Sequence, residues 1–130
     1  MAAFSDYLEN KVLGHVFGGT AYTAPTTLYV ALYTVAPSDT GGGTEVSGGG
    51  YARQTSTFTV SGTNPTEATN ASAIEYPEAR ANYGTVVAVG VFDALTSGNL
   101  LAYSTLTTSK TIDSGDVFRI NSGNLDITLA

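Results

Sequence analysis

The sequence predicts an all-β fold: a single β-sandwich or partial barrel of about seven strands, with one N-terminal amphipathic helix. Three observations carry this. Short runs of strand-favouring apolar residues recur from residue 27 to residue 129. Gly, Ser, Thr, Asn and Asp separate them at the close spacing of antiparallel strands. No helical periodicity lies between the runs, which removes a parallel α/β sheet. At 130 residues the chain fits one domain, 1–130, long enough to bury a core.

The helix spans 6–17. Ser5 or Asp6 can cap it, and with Asp6 as the cap Glu9 reaches back to the cap amide. Leu8, Val12 and Val16 recur every four residues, Leu13 and Phe17 widen the stripe, and Gly18-Gly19 stops the helix. Such a stripe packs either on the domain's own core or on a neighbouring subunit. Thr27 to Thr34 is nearly continuously apolar, entered through Pro25 and left through Pro37, so it predicts a strand buried on both faces. Residues 39–50 form a glycine-rich loop with triplets Gly41-Gly42-Gly43 and Gly48-Gly49-Gly50, expected to be mobile and to order against a partner. Tyr51 to Val60 reads as a strand, Ser61 to Ser72 as polar turn, and Ile74 to Tyr76 as a short strand stopped by Pro77. Thr85 to Asp93 is a strong strand with Gly90 as a bulge or a close approach. Thr96 to Asn99 turns it into Leu100 to Leu106, a hairpin. Asp116 to Ile120 and Leu125 to Leu129 read as a second hairpin across Asn121 to Asn124.

Composition excludes several functions. Charged residues make up 12% of the chain and the net charge is −6, with five Lys and Arg in all. That is too few cations for a nucleic-acid interface or a polybasic membrane anchor. No apolar stretch is long enough for a transmembrane helix, and the opening residues lack the pattern of a signal peptide. With no cysteine there are no disulfides and no thiolate metal sites. A surface rich in Thr, Ser, Asn and Gly is easily desolvated, which favours assembly.

No motif calls for catalysis, a cofactor or a metal. His15 is the one histidine, too few for a two-histidine zinc site, and no nucleophile turn accompanies it. The glycine triplets lack the Lys-Ser or Lys-Thr of a phosphate loop. Asp113, Asp116 and Asp126 are explained by turn capping better than by calcium. A glycosidase pair drawn from Asp39, Glu45, Glu67, Glu75, Glu78 and Asp93 depends on spacing that sequence does not reveal. Asn70-Ala71-Ser72 matches the short glycosylation pattern, which is common by chance. The eight Tyr and five Phe are dispersed, as core residues or interface anchors would be.

Several stretches resemble a family of small virion proteins of tailed bacteriophages, often labelled tail fibre proteins. They are Ser5 to Lys11 with His15 to Gly19; Tyr22 to Val30; Glu45 to Arg53; Gly90 to Ala94; and Ser109 to Ile112 with Gly115-Asp116. They run in order along nearly the whole chain. Asn82-Tyr83-Gly84-Thr85 departs from the pattern, with Tyr where the family has Trp. The resemblance implies a non-enzymatic virion protein, made in the bacterial host cytoplasm. The leading expectation is a decoration or cement protein on the particle surface. A tail fibre or baseplate subunit is the alternative, and a carbohydrate-binding module using exposed Tyr is a second. Expected partners are further copies of itself, as a homotrimer, and a major capsid or tail protein, with no nucleic acid and no membrane. Interface candidates are Leu8, Val12, Val16 and Phe17 on the helix, and Gly48, Gly49, Gly50 and Tyr51 beyond it.

Overall fold

The structure, a computed structural model, describes residues 3–129; residues 1, 2 and 130 of the expected domain lie outside it. Strand β1 (Ala3–Phe4) leads into helix α1 (Asp6–Val16). Ser5, rather than Asp6, is the N-cap. Its Oγ accepts the Leu8 N–H at 3.2 Å and donates to the Leu100 carbonyl at 2.5 Å. The Ser5 and Asp6 amides donate to the carbonyls of Leu101 and Asp39 at 2.8 and 2.9 Å. The first turn is therefore bolted to the body. Phe17 is the C-cap, one residue beyond the helix, and Gly19 turns the chain away at φ +71°.

The remaining elements are antiparallel strands: β2 (Leu28–Val35), β3 (Thr44–Glu45), β4 (Gln54–Ser56), β5 (Phe58–Ser61), β6 (Thr66–Asn70), β7 (Ile74–Glu75), β8 (Gly84–Phe92), β9 (Leu100–Ile112), β10 (Arg119–Ile120) and β11 (Asp126–Leu129). A six-stranded sheet runs β1-β9-β8-β2-β3, with β4 also on β2. A three-stranded sheet runs β11-β6-β5, and β10 pairs with β7. The all-β architecture with one helix is as the sequence predicts. The β8–β9 hairpin also forms, Gly90 facing Tyr103 and Val91 facing Ala102.

Three sequence expectations need correction, and a fourth is decided between its two alternatives. Asp116 to Ile120 and Leu125 to Leu129 do not pair with each other: β10 goes to β7 and β11 goes to β6. The polar stretch before Ser72 contains a real strand, β6, held between β5 and β11. One buried side chain at the end of β6 bears on the first. Asn70 donates from Nδ2 to the carbonyls of Ser72 and Asn121 at 2.9 and 3.0 Å, and its Oδ1 accepts the Leu125 N–H at 2.9 Å. It thus parts the two strands and holds the ends of their connection. The residues 39–50 are not one free loop, because Thr44–Glu45 joins β2 and Val46 is buried. Of the two readings of Gly90, the close approach holds and the bulge does not. The register shifts lie on either side of it, and a Cβ there would meet Leu100 Cδ1 and Tyr33 Cε1, both at 2.9 Å.

Strand β2 is buried on both faces. Val30 and Leu32 point into the main core with Val86, Val89, Val91, Ile74, Tyr76, Phe118 and Leu125. Ala31 and Tyr33 point the other way, onto Ala88, Phe92 and Leu100. The shift between Val86 and Ala88 lets Val86 and Val89 share the main core although they are three residues apart.

Candidate functional site

No residue of α1 is buried. At 3.6 residues per turn the apolar arc is too broad for one contact, and the body takes only part of it. Leu8 and Val12 are half-buried, and the helix packs against β9 and β1. Leu13, Val16 and Phe17 remain 58%, 60% and 82% exposed. The stripe read from the sequence is therefore split lengthwise. Its N-terminal half is anchored and its C-terminal end faces out. Asp6 and Glu9 are also exposed, so the outward side runs from acidic to apolar along the helix. A shallow depression follows that side, lined by the acidic Asp6 and Glu9 together with Asn10, Leu13, Gly14 and Phe17. Gly14 sits in it with nothing within 4 Å of where a Cβ would stand.

An apolar groove of about 280 Å³ adjoins the anchored half of the helix. Phe4, Leu8, Leu28, Val60, Val91 and Ile127 line it, with Glu67 at hand. It lies where the six-stranded and three-stranded sheets part beside α1.

The second group of interface candidates lies elsewhere. A Cβ on Gly49 would meet the Ala81 amide at 3.0 Å, and Gly50 stands against the Arg80 side chain. Tyr51 is half-buried, with its ring turned toward the core. Its ring stacks on Tyr76 at 6.1 Å and meets Tyr83 edge-on at 5.8 Å. Its hydroxyl accepts the Leu32 N–H at 2.9 Å and donates to Glu45 Oε2 at 2.7 Å. It fills the gap on the edge of β2 between β3 and β4. Burial, foremost, pushes the Tyr51 phenol far above its ordinary range, and the Glu45 carboxylate adds to this.

Glu45 is shared with a cation that sequence reasoning did not single out. Arg53 is 9% exposed and holds Glu45 through two N–H···O contacts of 2.9 Å. Its Nη1 donates to the carbonyls of Ala94 and Ser97 at 2.9 and 2.8 Å, and its guanidinium lies 3.7 Å from the centre of the Phe92 ring. This joins the glycine-rich segment to the β8–β9 turn. Charge pairing across eight residues in a poorly charged chain was the available signal, though residue spacing alone did not show that both groups point one way.

Three of the groups considered for chemistry make structural hydrogen bonds. His15 Nδ1 accepts the Tyr22 N–H at 3.1 Å. Asp116 Oδ2 accepts the Asp113 N–H at 2.9 Å, and Asp93 accepts both nitrogens of Asn99 at 2.8 and 3.0 Å. Asn70 is buried and spoken for, so its triplet marks a structural knot. Of the eight tyrosines, Tyr33, Tyr76 and Tyr83 are buried and the others are half-buried. Among the described residues no helix is long and apolar enough to cross a membrane. A family model described as Podophage GP4 fiber I protein gp80 matches residues 3–128, nearly the full chain. No curated protein matches it.

Proposed function

The chain belongs to the podophage GP4 fiber I protein gp80 family, which makes it a phage virion component of fibre type, and on that premise we propose a subunit that works by docking in a tail-fibre or baseplate position rather than by catalysis. The observation that carries this reading is the outward apolar end of α1, with Leu13, Val16 and Phe17 each more than half exposed on a helix that its own body grips only at the other end. Water-exposed apolar side chains grouped on one helical face are a contact surface awaiting a partner. The same surface supports self-association. The hydrogen-bonded engagement of His15, Asp93 and Asp116 favours structural over catalytic use.

Decoration of the capsid is the second reading. Its support is the absence of a shaft: the helix has 11 residues and the longest strand 13, so the described residues form a body that covers more readily than it reaches. Cryo-electron microscopy of the intact particle tests both. Density for this domain at the tail, in the copy number of a fibre, is the expected result. Density spread over the shell would favour decoration, and absence from purified particles would defeat the virion role in either form.

A further inference from the structure

We propose that the cleft beside the bulge of β9 binds a saccharide carrying a carboxylate, with Lys110 and Arg119 as the cations that receive it. No residue of α1 lines this cleft, and its use does not depend on the docking role above. Three observations point to it.

The first is the break in β9. Val86 pairs with Lys110 and Ala88 with Thr105, so Val87 alone stands opposite Leu106, Thr107, Thr108 and Ser109. The usual bulge in an antiparallel pair adds one residue, and this one is larger. The fold uses part of it, because Leu106 packs half-buried against the main core. Thr107, Thr108 and Ser109 stay exposed. Bulges of this kind re-aim side chains beside functional sites. Here the bulge forms one wall of a cleft of about 420 Å³, and β10 with the start of β11 forms the other. That size lies within the range of small-molecule sites.

The second is the chemistry of the lining. Val89, Phe118 and Leu125 are buried and supply an apolar floor. Thr105, Thr107, Thr108 and Asn124 stand exposed around it. A sugar ring has the same two characters, C–H faces that seek an apolar floor and hydroxyls that seek partners at the edge. Threonine hydroxyls and an asparagine amide each donate and accept, as those partners must. Asp126, half-buried on the same lining, accepts from a hydroxyl. Hydroxyl and amide groups outnumber charges on this rim, which matches a polyhydroxylated ligand better than a peptide.

The third is charge. The chain has five Lys and Arg in all and a net charge of −6, yet Lys110 and Arg119 both line this cleft. With Phe118 they also line a second depression, of about 450 Å³, that continues toward Asn121. The two cavities therefore make one groove with the cations at its middle. Asp116, in the second depression, is held by the Asp113 amide at 2.9 Å. Among the described residues Lys110 makes no ion pair. Arg119 meets Glu75 at 3.3 Å in an exposed pair, which is a weak contact in water. A ligand carboxylate placed between these cations gains charge-assisted hydrogen bonds, about twice as strong as neutral ones.

Titration of the isotope-labelled protein with trigalacturonate, followed by heteronuclear NMR, tests the site. The sugar is expected to shift the amides of the β9 bulge and of the β10–β11 segment, and to leave those of α1 in place. Maltotriose, which is neutral, and triglutamate, an acidic peptide, are each expected to bind at least about tenfold more weakly. Lys110→Gln and Arg119→Gln are each expected to weaken trigalacturonate binding about three- to tenfold. Arg80→Gln removes the same charge outside the groove and is expected to change binding by less than about twofold. All three side chains are exposed, and the ligand-free spectrum of each variant reports whether its fold is kept. Absence of shifts, shifts confined to other surfaces, maltotriose or triglutamate binding as tightly as trigalacturonate, or an equal loss in Arg80→Gln would each overturn the proposal. The virion role stands apart from all of these outcomes, since imaging of the particle decides it.

Discussion

Replacing Arg53 with alanine tests what holds the glycine-rich segment to the sheet. The Arg53 side chain is 7% exposed and that of Glu45 is 26% exposed. Truncation leaves the Glu45 carboxylate with the Tyr51 hydroxyl as its side-chain donor, and frees the carbonyls of Ala94 and Ser97. Removing one partner of a buried pair costs about 3–5 kcal/mol. Water can reach Glu45 in part, so the electrostatic loss belongs at the lower end, about 3 kcal/mol. Loss of the guanidinium from the Phe92 face adds about 1 kcal/mol. The expected destabilisation is therefore about 3–4 kcal/mol, a fall in melting temperature on the order of 10–15 °C for a domain of this size. Arg53→Lys keeps the charge but loses the fork, and should recover no more than about half of it. Urea denaturation followed by tyrosine fluorescence and by circular dichroism measures both. A loss under about 1 kcal/mol for Arg53→Ala, with a two-state transition, would refute the view that this cation closes the loop onto the sheet.

Asn70→Ala should cost about 1–3 kcal/mol in the same denaturation assay, because it leaves the buried Leu125 amide without its acceptor and removes the donor shared by the part-buried Ser72 and Asn121 carbonyls. Gly90→Val should destabilise by about 1–3 kcal/mol, since its Cβ would lie 2.9 Å from Leu100 and Tyr33; a neutral result in thermal melts would show that this packing yields freely. Stability should fall in strong alkali. Burial and, secondarily, Glu45 raise the Tyr33 phenol to about 12, and burial raises Tyr51 and Tyr76 in the same direction. A raised folded-state value means the contribution of Tyr33 is complete below about pH 10, where the unfolded phenol starts to ionise, and is lost as pH rises toward 12. Urea midpoints measured from pH 9 upward should decline over that window, and a flat profile would contradict the buried placement.

Local chemistry is what the sequence by itself determined. Helix α1 is legible because Ser5, the apolar spacing and Gly18-Gly19 act within a few residues of one another. Strands β2 and β8 are legible because continuous Val, Leu, Ala and Tyr need burial on two faces wherever the partners come from. The β8–β9 hairpin follows from Thr96 to Asn99 for the same reason, since its strands are neighbours along the chain. The tertiary structure decided the long-range choices. Strand β6 carries few apolar residues and exists because β5 and β11 pair with it on either side. The second expected hairpin fails because Asn70 holds the connection between β10 and β11 from 51 and 55 residues away. The inward turn of Tyr51 and its union with Glu45 and Arg53 depend on where β3 and β4 leave a gap on β2. The facing of α1 was undecidable in one dimension as well. An apolar arc that broad fits several rotations about the helix axis, and the hydrogen bonds of Ser5 and Asp6 to the body select the one that half-buries Leu8 and Val12 and leaves Leu13, Val16 and Phe17 to face water.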